Sequence, residues 1–317
     1  TFSTPRSPAL LMNDNAKKFG SLLFTAVEVA RPGQWVKNLL VLAGLFFALA
    51  DKFQRFSVAE SLLRTLLAVA LFCAISGAVY IMNDLHDAEA DRSHPAKRNR
   101  PVASGRLPGR VAVAEYFALL VSAMGLSLFL GPRFALCLAG YFLMQTAYTY
   151  WLKDVVLVDV FIVAIGFVVR VYVGTLAAGV KASSWLLLCT FMAALFLILC
   201  KRHDEKVTLG DAAATHRKVL AAYAPALLEH LIAIAAACTI LCYALYTLAP
   251  ATVAKFGTER LVATVPFVVF GIFRYMYLAF CRGQGGRPER TLVRDIPLVL
   301  DMALYAVACV VVMLLAR

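Results

Sequence analysis

The fold is decided by the stretch TLLAVALFCAISGAVYIMNDLHDAEAD, residues 65–91, which joins an apolar run directly to a group of carboxylates. The apolar part carries no charge, and a helix that crosses a bilayer needs roughly 20 mostly apolar residues. We therefore predict a transmembrane helix over 61–83. Its polar end carries Asp84, Asp87 and Asp91, so acidic side chains are expected at the edge of the membrane.

The composition of the whole chain supports a membrane protein. Of its 317 residues, 62% are hydrophobic and 16% are charged, whereas soluble domains have about 45–50% and about 25%. The net charge of +12 is that expected of a membrane protein, because its inside-facing loops collect Lys and Arg. Because no basic patch is interleaved with stacking aromatics, we expect no nucleic-acid partner. The cysteines form no CxxC pair, which disfavours a zinc site.

Nine apolar stretches are long enough to cross the lipid bilayer. They cover 34–50, 61–83, 111–130, 133–151, 156–178, 184–200, 229–249, 261–281 and 297–316. Lys and Arg gather in alternate connections, which predicts a cytoplasmic N-terminus. The predicted fold is therefore all-α: a polytopic membrane protein with nine transmembrane helices.

The domain organisation follows from these spans. We expect a single integral-membrane domain over 1–317, with a cytoplasmic or interfacial segment at 1–30. Two long connections, 84–110 and 201–228, fall on the same predicted side of the membrane. Because long loops tend to carry function, both are predicted as cytoplasmic active-site loops that can meet over one cavity.

The carboxylate group has the spacing of a metal site. Asp84, Asp87 and Asp91 are three and four residues apart, so a helix places them on one face. Three like charges repel one another unless a cation lies among them, and hard oxygen ligands suit Mg²⁺. A solvated acidic helix end has the same spacing, but carboxylates directly after a membrane span are usually functional.

Cations near these carboxylates predict phosphate binding. Lys97, Arg98 and Arg100 follow the acidic group, and metal together with Lys or Arg is how proteins hold a diphosphate. The run KRHDE at 201–205 opens the second long connection and includes Lys201, Arg202 and Glu205. Ordinary charged sequence flanking a span is the alternative interpretation for both runs.

Further polar residues fall inside or beside the predicted spans. They are Tyr148, Lys153, Asp154 and Asp159 around one short connection, Arg170 within a span, and Gln34, Lys37 and Asn38 at the start of the first span. An intramembrane Arg must face a cavity or a partner, so Arg170 is a site candidate. For Lys37 and Asn38 the alternative is interfacial anchoring.

The nine-helix pattern and the run NDLHDAEAD at 83–91 resemble the UbiA superfamily of intramembrane prenyltransferases. The family pattern NDxxDxxxD follows the second helix. The resemblance implies that Asn83, Asp84, Asp87 and Asp91 bind Mg²⁺ and a diphosphate, with the three aspartates as the catalytic group.

Within that superfamily the chain looks like the branch that transfers phosphoribosyl groups to polyprenyl phosphates. The motifs that support this likeness are RPGQWVKN at 31–38, NDLHDAEADRSHPAKRNRP at 83–101, YWLKD at 150–154 and LCKRHDE at 199–205. The resemblance implies transfer of 5-phosphoribosyl from 5-phosphoribosyl diphosphate (PRPP) to decaprenyl phosphate, giving decaprenylphosphoryl-5-phosphoribose and pyrophosphate. This step serves arabinan cell-wall synthesis at the cell membrane, with the active site facing the cytoplasm. The implied substrate-binding residues are Lys37, Asn38, Asn83, Lys97, Arg98, Arg100, Tyr148, Lys153, Asp154, Arg170, Lys201, Arg202 and Glu205.

One departure from the superfamily separates the alternatives. KRHDE at 201–205 stands where other members carry a second Asp-rich motif. A conventional prenyltransferase with a prenyl diphosphate donor and an aromatic acceptor is therefore the second hypothesis. A transporter is the third, although the chain has no convincing internal repeat. A structural subunit leaves the carboxylates unexplained, and the sequence leaves the oligomeric state open, a homo-oligomer included.

Overall fold

The computed structural model describes residues 24–49, 57–93, 97–210 and 218–315, and the regular structure in these ranges is helical. A short helical segment at 24–29 precedes the helices α1 (Ala43–Leu49), α2 (Val58–His86), α3 (Ala88–Ser93), α4 (Gly109–Ser127), α5 (Pro132–Tyr150), α6 (Val158–Ala178), α7 (Ser184–Leu209), α8 (Val219–Ala222), α9 (Pro225–Leu248), α10 (Pro250–Phe256), α11 (Val265–Arg282), α12 (Pro288–Arg294) and α13 (Ile296–Leu315). Tighter 3₁₀ helices cover Pro32–Leu42, Leu128–Leu130, Leu152–Asp154 and Arg260–Thr264.

Seven helical segments of the described chain are long and apolar enough to cross a membrane. They are Val58–His86, Gly109–Leu130, Val158–Ala178, Ser184–Leu209, Pro225–Leu248, Arg260–Arg282 and Ile296–Leu315. The prediction of an all-α polytopic membrane protein is thereby confirmed. Helix α5 occupies the fourth predicted span, but it is not one of these seven segments. It carries polar residues such as Gln145 and Thr149. The count of nine spans and the orientation of the N-terminus stay predictions.

Two predicted boundaries were wrong, and one predicted span has another type of helix. The span predicted at 34–50 begins as the 3₁₀ helix Pro32–Leu42 and becomes α-helical only in α1, and residue 50 lies outside the described residues. The connection predicted from residue 84 is helical to Ser93, apart from a turn at Asp87. Helix α7 continues nine residues beyond the predicted end at residue 200, to Leu209.

The last two errors share one physical cause. Apolar residues mark where a helix lies in lipid, whereas Asp, Glu, Lys and Arg continue a helix into water without difficulty. The aspartates at 84–91 and the KRHDE motif at 201–205 therefore stand on the ends of helices, whereas Lys97, Arg98 and Arg100 lie in the connection that follows α3.

The described chain divides into two compact units. The first combines the described part of Thr1–Val36 with Ala70–Leu138. Its core contains Val29, Ile81, Val102, Leu107 and Ala112, all of them buried. Because Val102 and Leu107 belong to the connection between α3 and α4, this connection is held against the end of α2.

The second unit combines the described part of Lys37–Val69 with Ala139–Arg317. Helix α7 packs along both α6 and α9, and the core around it includes buried Phe196 and Leu228. The hydroxyl of Ser61 donates to the Ala178 carbonyl over 2.8 Å, which ties the start of α2 to the end of α6.

A glycine allows two backbones of the second unit to touch. A Cβ atom on Gly174 of α6 would overlap the carbonyl group of Val41. Val41 is itself fully buried, in the 3₁₀ helix before α1. This close approach packs the 3₁₀ helix before α1 directly against α6.

Candidate active site

Helices α2 and α3 present the three predicted aspartates. The backbone N–H of Asp87 donates to the Asn83 carbonyl over 2.9 Å, and that of Asp91 donates to the Asp87 carbonyl over 2.8 Å. These bonds carry the helical course through the turn between the two helices. Asp84 and Asp91 are buried, whereas the Asp87 side chain is 34% exposed.

Two arginines contact the buried carboxylates. Arg100 Nη1 lies 3.2 Å from Asp84 Oδ1 and 2.6 Å from Asp91 Oδ2, so one guanidinium bridges both aspartates. Arg31 donates a second, short hydrogen bond to Asp84 Oδ1. The bridge places Asp84 and Asp91 on one face, and the binding of one ion by all three aspartates stays a prediction.

Local contacts hold both arginines in place. Arg31 has a positive φ of 53°, uncommon for a residue other than glycine, and its guanidinium lies 5.0 Å from the centroid of the Tyr80 ring. Arg100 follows a turn in which its N–H donates to the Lys97 carbonyl over 2.9 Å. Arg106 pairs with both carboxylate oxygens of Glu28 over 2.8 and 2.9 Å, which fastens this connection. We name Arg31, Asp84, Asp87, Asp91 and Arg100 the acidic site.

The acidic site offers donors that suit a divalent cation. Asp84 Oδ2 is buried and has no hydrogen-bond partner among the described residues. A buried carboxylate oxygen without a partner is costly, and a hard cation satisfies it. Across the described ranges, however, no three His, Cys, Asp or Glu side chains are placed to ligate one ion. The guanidinium of Arg100 bridges the two buried aspartates instead.

The KRHDE motif forms a buried network in the second unit. Arg202 Nε donates to Asp159 Oδ2 over 2.8 Å, and Nη1 donates to Glu205 Oε2 over 2.9 Å. Arg202 Nη2 lies 3.5 Å from the hydroxyl of Tyr148. Lys201 Nζ lies 3.9 Å from Glu205 Oε1 and keeps a side chain that is 38% exposed.

Tyr223 completes this network from the far side of Asp159. Its hydroxyl donates to Asp159 Oδ1 over 2.7 Å and accepts from the Leu157 N–H over 2.8 Å. Leu157 has a φ of 66°, a strained conformation for a branched residue. Burial, and next the hydrogen bond to Asp159, raise the pKa of the Tyr223 phenol, which keeps it a neutral donor.

Arg170 lies at the centre of a third polar group. It is buried in α6, and its Nε donates to Asn38 Oδ1 over 2.9 Å. Nη1 donates to the Gly166 carbonyl over 2.8 Å, and Nη2 donates to the Tyr141 hydroxyl over 2.6 Å. The prediction that this intramembrane arginine has polar partners is confirmed.

The other predicted residues are more exposed. Lys97 and Lys153 are half-buried, Arg98 and Asp154 are exposed, and Lys37 is half-buried on the 3₁₀ helix before α1. Lys97 and Arg98 belong to the same unit as the acidic site, and the remaining three residues belong to the other unit. That the two predicted loops meet over one cavity stays a prediction.

Three residues of these sites were not singled out as candidates. Arg31 was assigned only to the motif RPGQWVKN, and neither Tyr141 nor Tyr223 was considered. Each contacts a residue at least 29 positions away along the chain. Of the three, only Arg31 has a sequence feature that indicates a site, because it is a cation immediately before Pro32-Gly33 at the start of a predicted span.

These features define an integral membrane protein with an acidic, arginine-covered site on the end of a transmembrane helix. The chain belongs to the UbiA prenyltransferase family, whose pattern matches residues 38–293. The predicted family is therefore confirmed, and the chain is a transferase of that family.

Curated relatives cover nearly the whole chain. Decaprenyl-phosphate phosphoribosyltransferase of Corynebacterium glutamicum is 33% identical over 315 residues, 98% of this chain and 92% of the relative. The enzyme of the same name from Mycobacterium tuberculosis is 33% identical over 275 residues, 87% of this chain and 89% of the relative.

Solved structures show the same fold. A UbiA homolog from Archaeoglobus fulgidus, bound to GPP and Mg²⁺, superposes with a TM-score of 0.67 at 17% identity. The match covers 91% of this chain and 99% of that chain. The predicted UbiA-like fold is thereby confirmed.

Proposed function

We propose that this chain transfers the 5-phosphoribosyl group of PRPP to decaprenyl phosphate in a Mg²⁺-dependent reaction. The products are decaprenylphosphoryl-5-phosphoribose and pyrophosphate. The observation that carries the proposal is the 33% identity, over nearly the full length, to enzymes named decaprenyl-phosphate phosphoribosyltransferase. The KRHDE motif adds support, because a buried Arg202 stands where a second acidic motif is expected of an ordinary family member.

The reaction exchanges one bond at the anomeric carbon of ribose. The bond to the pyrophosphate oxygen breaks and pyrophosphate keeps the electron pair. A phosphate oxygen of decaprenyl phosphate forms the new bond to the same carbon. Because that phosphate is already ionised near neutral pH, no strong general base is required.

The acidic site is assigned to the leaving group. Asn83, Asp84, Asp87 and Asp91 would hold Mg²⁺, and the unsatisfied Asp84 Oδ2 is the structural support for this assignment. Magnesium there would lower the negative charge of the departing pyrophosphate. Arg100 and Arg31 both donate to Asp84 Oδ1. They can exchange their carboxylate partners for phosphate oxygens when substrate binds.

Cations of the second unit are assigned to the remaining phosphates. Arg170 and Arg202 are held in fixed orientation by neutral and acidic neighbours respectively, which suits them to a defined phosphate position. Lys153 and Lys201 are partly exposed. They are assigned, together with Lys37 and Tyr148, to the 5-phosphate of the donor or to the lipid phosphate, whereas Lys97 and Arg98 of the first unit are assigned to the diphosphate.

The membrane setting follows from the acceptor. Large apolar side chains remain exposed along the transmembrane helices, for example Leu136 at 74% and Phe129 at 75%. Such surfaces suit lipid contact, and we assign the polyprenyl chain to apolar helix faces within the bilayer. We place the protein in the cell membrane, which it crosses with nine helices. We assign its N-terminus and its active site to the cytoplasmic side.

A choice of donors tests the proposal. Purified protein in detergent is given Mg²⁺ and either labelled PRPP with decaprenyl phosphate or labelled prenyl diphosphate with an aromatic acid. We expect label from PRPP to enter the organic phase only when metal is present. A prenylated aromatic product, with no transfer from PRPP, would assign the chain to the conventional prenyltransferases instead.

A further inference from the structure

A second basic region lies apart from the residues assigned above, around α11 and α12. There, a cavity of about 640 Å³ opens between the end of one transmembrane helix and the start of the next. Five arginines line it: Arg274, Arg282, Arg287, Arg290 and Arg294. Its volume is that of a small-molecule pocket, about 300–1,000 Å³. We name it the arginine cavity.

The choice of cation in this region is selective. From Arg274 to the end of the chain the basic residues are all arginine, without a lysine. The tendency of inside-facing loops to collect basic residues counts Lys and Arg alike, so it does not account for this selection. Arginine differs from lysine in its planar fork, which binds phosphate oxygens in pairs.

Helix α12 directs two of the arginines to one side. Arg290 and Arg294 are four residues apart, the spacing that aligns side chains on a helix face, and Arg287 immediately precedes the helix. The Thr291 hydroxyl on this helix donates to the Gln284 carbonyl over 2.6 Å, which fixes α12 against the preceding loop. The alignment of the arginines is thus built into the fold.

Acidic neighbours leave most of this charge unneutralised. Arg274 forms two hydrogen bonds to Asp295, of 3.0 and 2.8 Å, and this pairing holds the pKa of Asp295 below its usual range. Arg287, Arg290 and Arg294 have no ion pair or side-chain hydrogen bond among the described residues. Three neighbouring guanidinium groups without an anion repel one another.

The cavity is connected to the KRHDE helix end. Asp204, one of its lining residues, accepts a hydrogen bond of 3.2 Å from the Gly285 N–H. A Cβ atom on Gly285 would lie 3.0 Å from the Cys200 carbonyl oxygen, so the loop formed by residues 283–286 lies directly on α7. The cavity is thus lined in part by the helix that carries Arg202.

We propose that the arginine cavity is a binding site for a phosphate group, separate from the residues assigned to the transfer reaction. The ligand is either the headgroup of an anionic phospholipid or a soluble phosphate compound, since both present oxygens that fit the arginine fork. Arg287, Arg290 and Arg294 hold the phosphate, and Arg274 stays bound to Asp295.

Direct binding to the full chain tests the proposal. The protein is placed in neutral phosphatidylcholine nanodiscs without metal, and inorganic phosphate is titrated by calorimetry. In parallel, nanodiscs containing phosphatidylglycerol are used, and the lipid retained is measured by native mass spectrometry. The test variant is Arg290→Gln with Arg294→Gln, and both side chains are exposed, so the fold is expected to persist.

A variant with the same change of net charge is the control. Arg110→Gln with Arg133→Gln removes two exposed arginines in the other unit. We expect one of the two probes to bind wild type and control equally. The same probe should bind the test variant at least about tenfold more weakly, because charge-assisted hydrogen bonds are lost. Loss of phosphate binding identifies a soluble ligand, and loss of phosphatidylglycerol identifies a lipid headgroup.

Two results would overturn the proposal. One is equal binding of both probes by the test variant and the control, and the other is failure of wild type to bind either probe. Because the readout is binding and not turnover, the outcome is independent of whether the chain transfers phosphoribosyl groups.

Discussion

Arg202 and Asp159 form an ion pair that is almost wholly removed from solvent. Arg202 Nε lies 2.8 Å from Asp159 Oδ2, and the two side chains are 5% and 0% exposed. Such a pair contributes through its geometry, because each charge is tolerated only while the other is present. It fixes a guanidinium at the end of α7, where the KRHDE motif is proposed to meet a phosphate.

Removing the acidic partner should therefore destabilise the protein. Asp159→Asn removes the fully buried acidic partner of Arg202 and leaves it paired with the less buried Glu205, which we expect to lower the free energy of unfolding by about 3 kcal/mol. Thermal unfolding in detergent measures the change. Asp154→Asn, on an exposed carboxylate five residues earlier, is the control and should unfold like wild type.

Tyr223→Phe tests the second support of Asp159. The variant removes the donor to Asp159 Oδ1 and the acceptor for the Leu157 N–H, so two buried groups lose a partner. We expect a loss of about 1–3 kcal/mol in unfolding free energy. Tyr172→Phe alters an exposed tyrosine and should be neutral. Equal stability of the two variants would contradict the described network.

Asp84→Asn tests the acidic site. The asparagine keeps the shape and one oxygen but removes the charge, so insertion and folding should persist while turnover falls by about 100-fold or more. Asp87→Asn should act in the same direction. Wild-type turnover in a folded Asp84→Asn protein would remove the metal assignment. Circular dichroism and gel filtration verify folding.

Gly174→Ala tests the contact between α6 and the 3₁₀ helix before α1. The added methyl group would meet the backbone of Val41, and overpacking of this kind costs about 1–3 kcal/mol or more. Gly140→Ala in α5 is the matched control, because nothing lies within 4 Å of its Cβ position. There the better helix propensity of alanine should leave stability unchanged or slightly raised. The two melting temperatures decide the matter.

The residues that sequence predicted best are those whose role depends on nearby positions. The alignment of Asp84 with Asp91 follows from a spacing of seven residues, and Arg100 lies only nine residues after Asp91. Arg170 was identifiable because an intramembrane charge requires partners. Local spacing and polarity thus account for the acidic site and for most of the transmembrane helices.

The residues that sequence missed depend on distant contacts. Tyr223 contacts Asp159 across 64 residues, and Arg31 contacts Asp84 across 53. No local pattern encodes such pairings. The full length of α7 was not predicted for a different reason. The apolar run ends at residue 200, whereas the helix continues to Leu209. The Val41–Gly174 contact is likewise visible only in the packing, because the two residues are far apart in the sequence.

A doubly labelled donor tests the central claim most directly. PRPP with a carbon label in ribose and a phosphorus label in its pyrophosphate is incubated with the protein, decaprenyl phosphate and Mg²⁺. The proposed reaction predicts that the carbon label enters the organic phase and that the phosphorus label is released into water as pyrophosphate. Chelation of the metal should stop both the transfer and the release. Carbon label that remains in water with folded wild-type protein, or phosphorus label that follows ribose into the lipid, would contradict it.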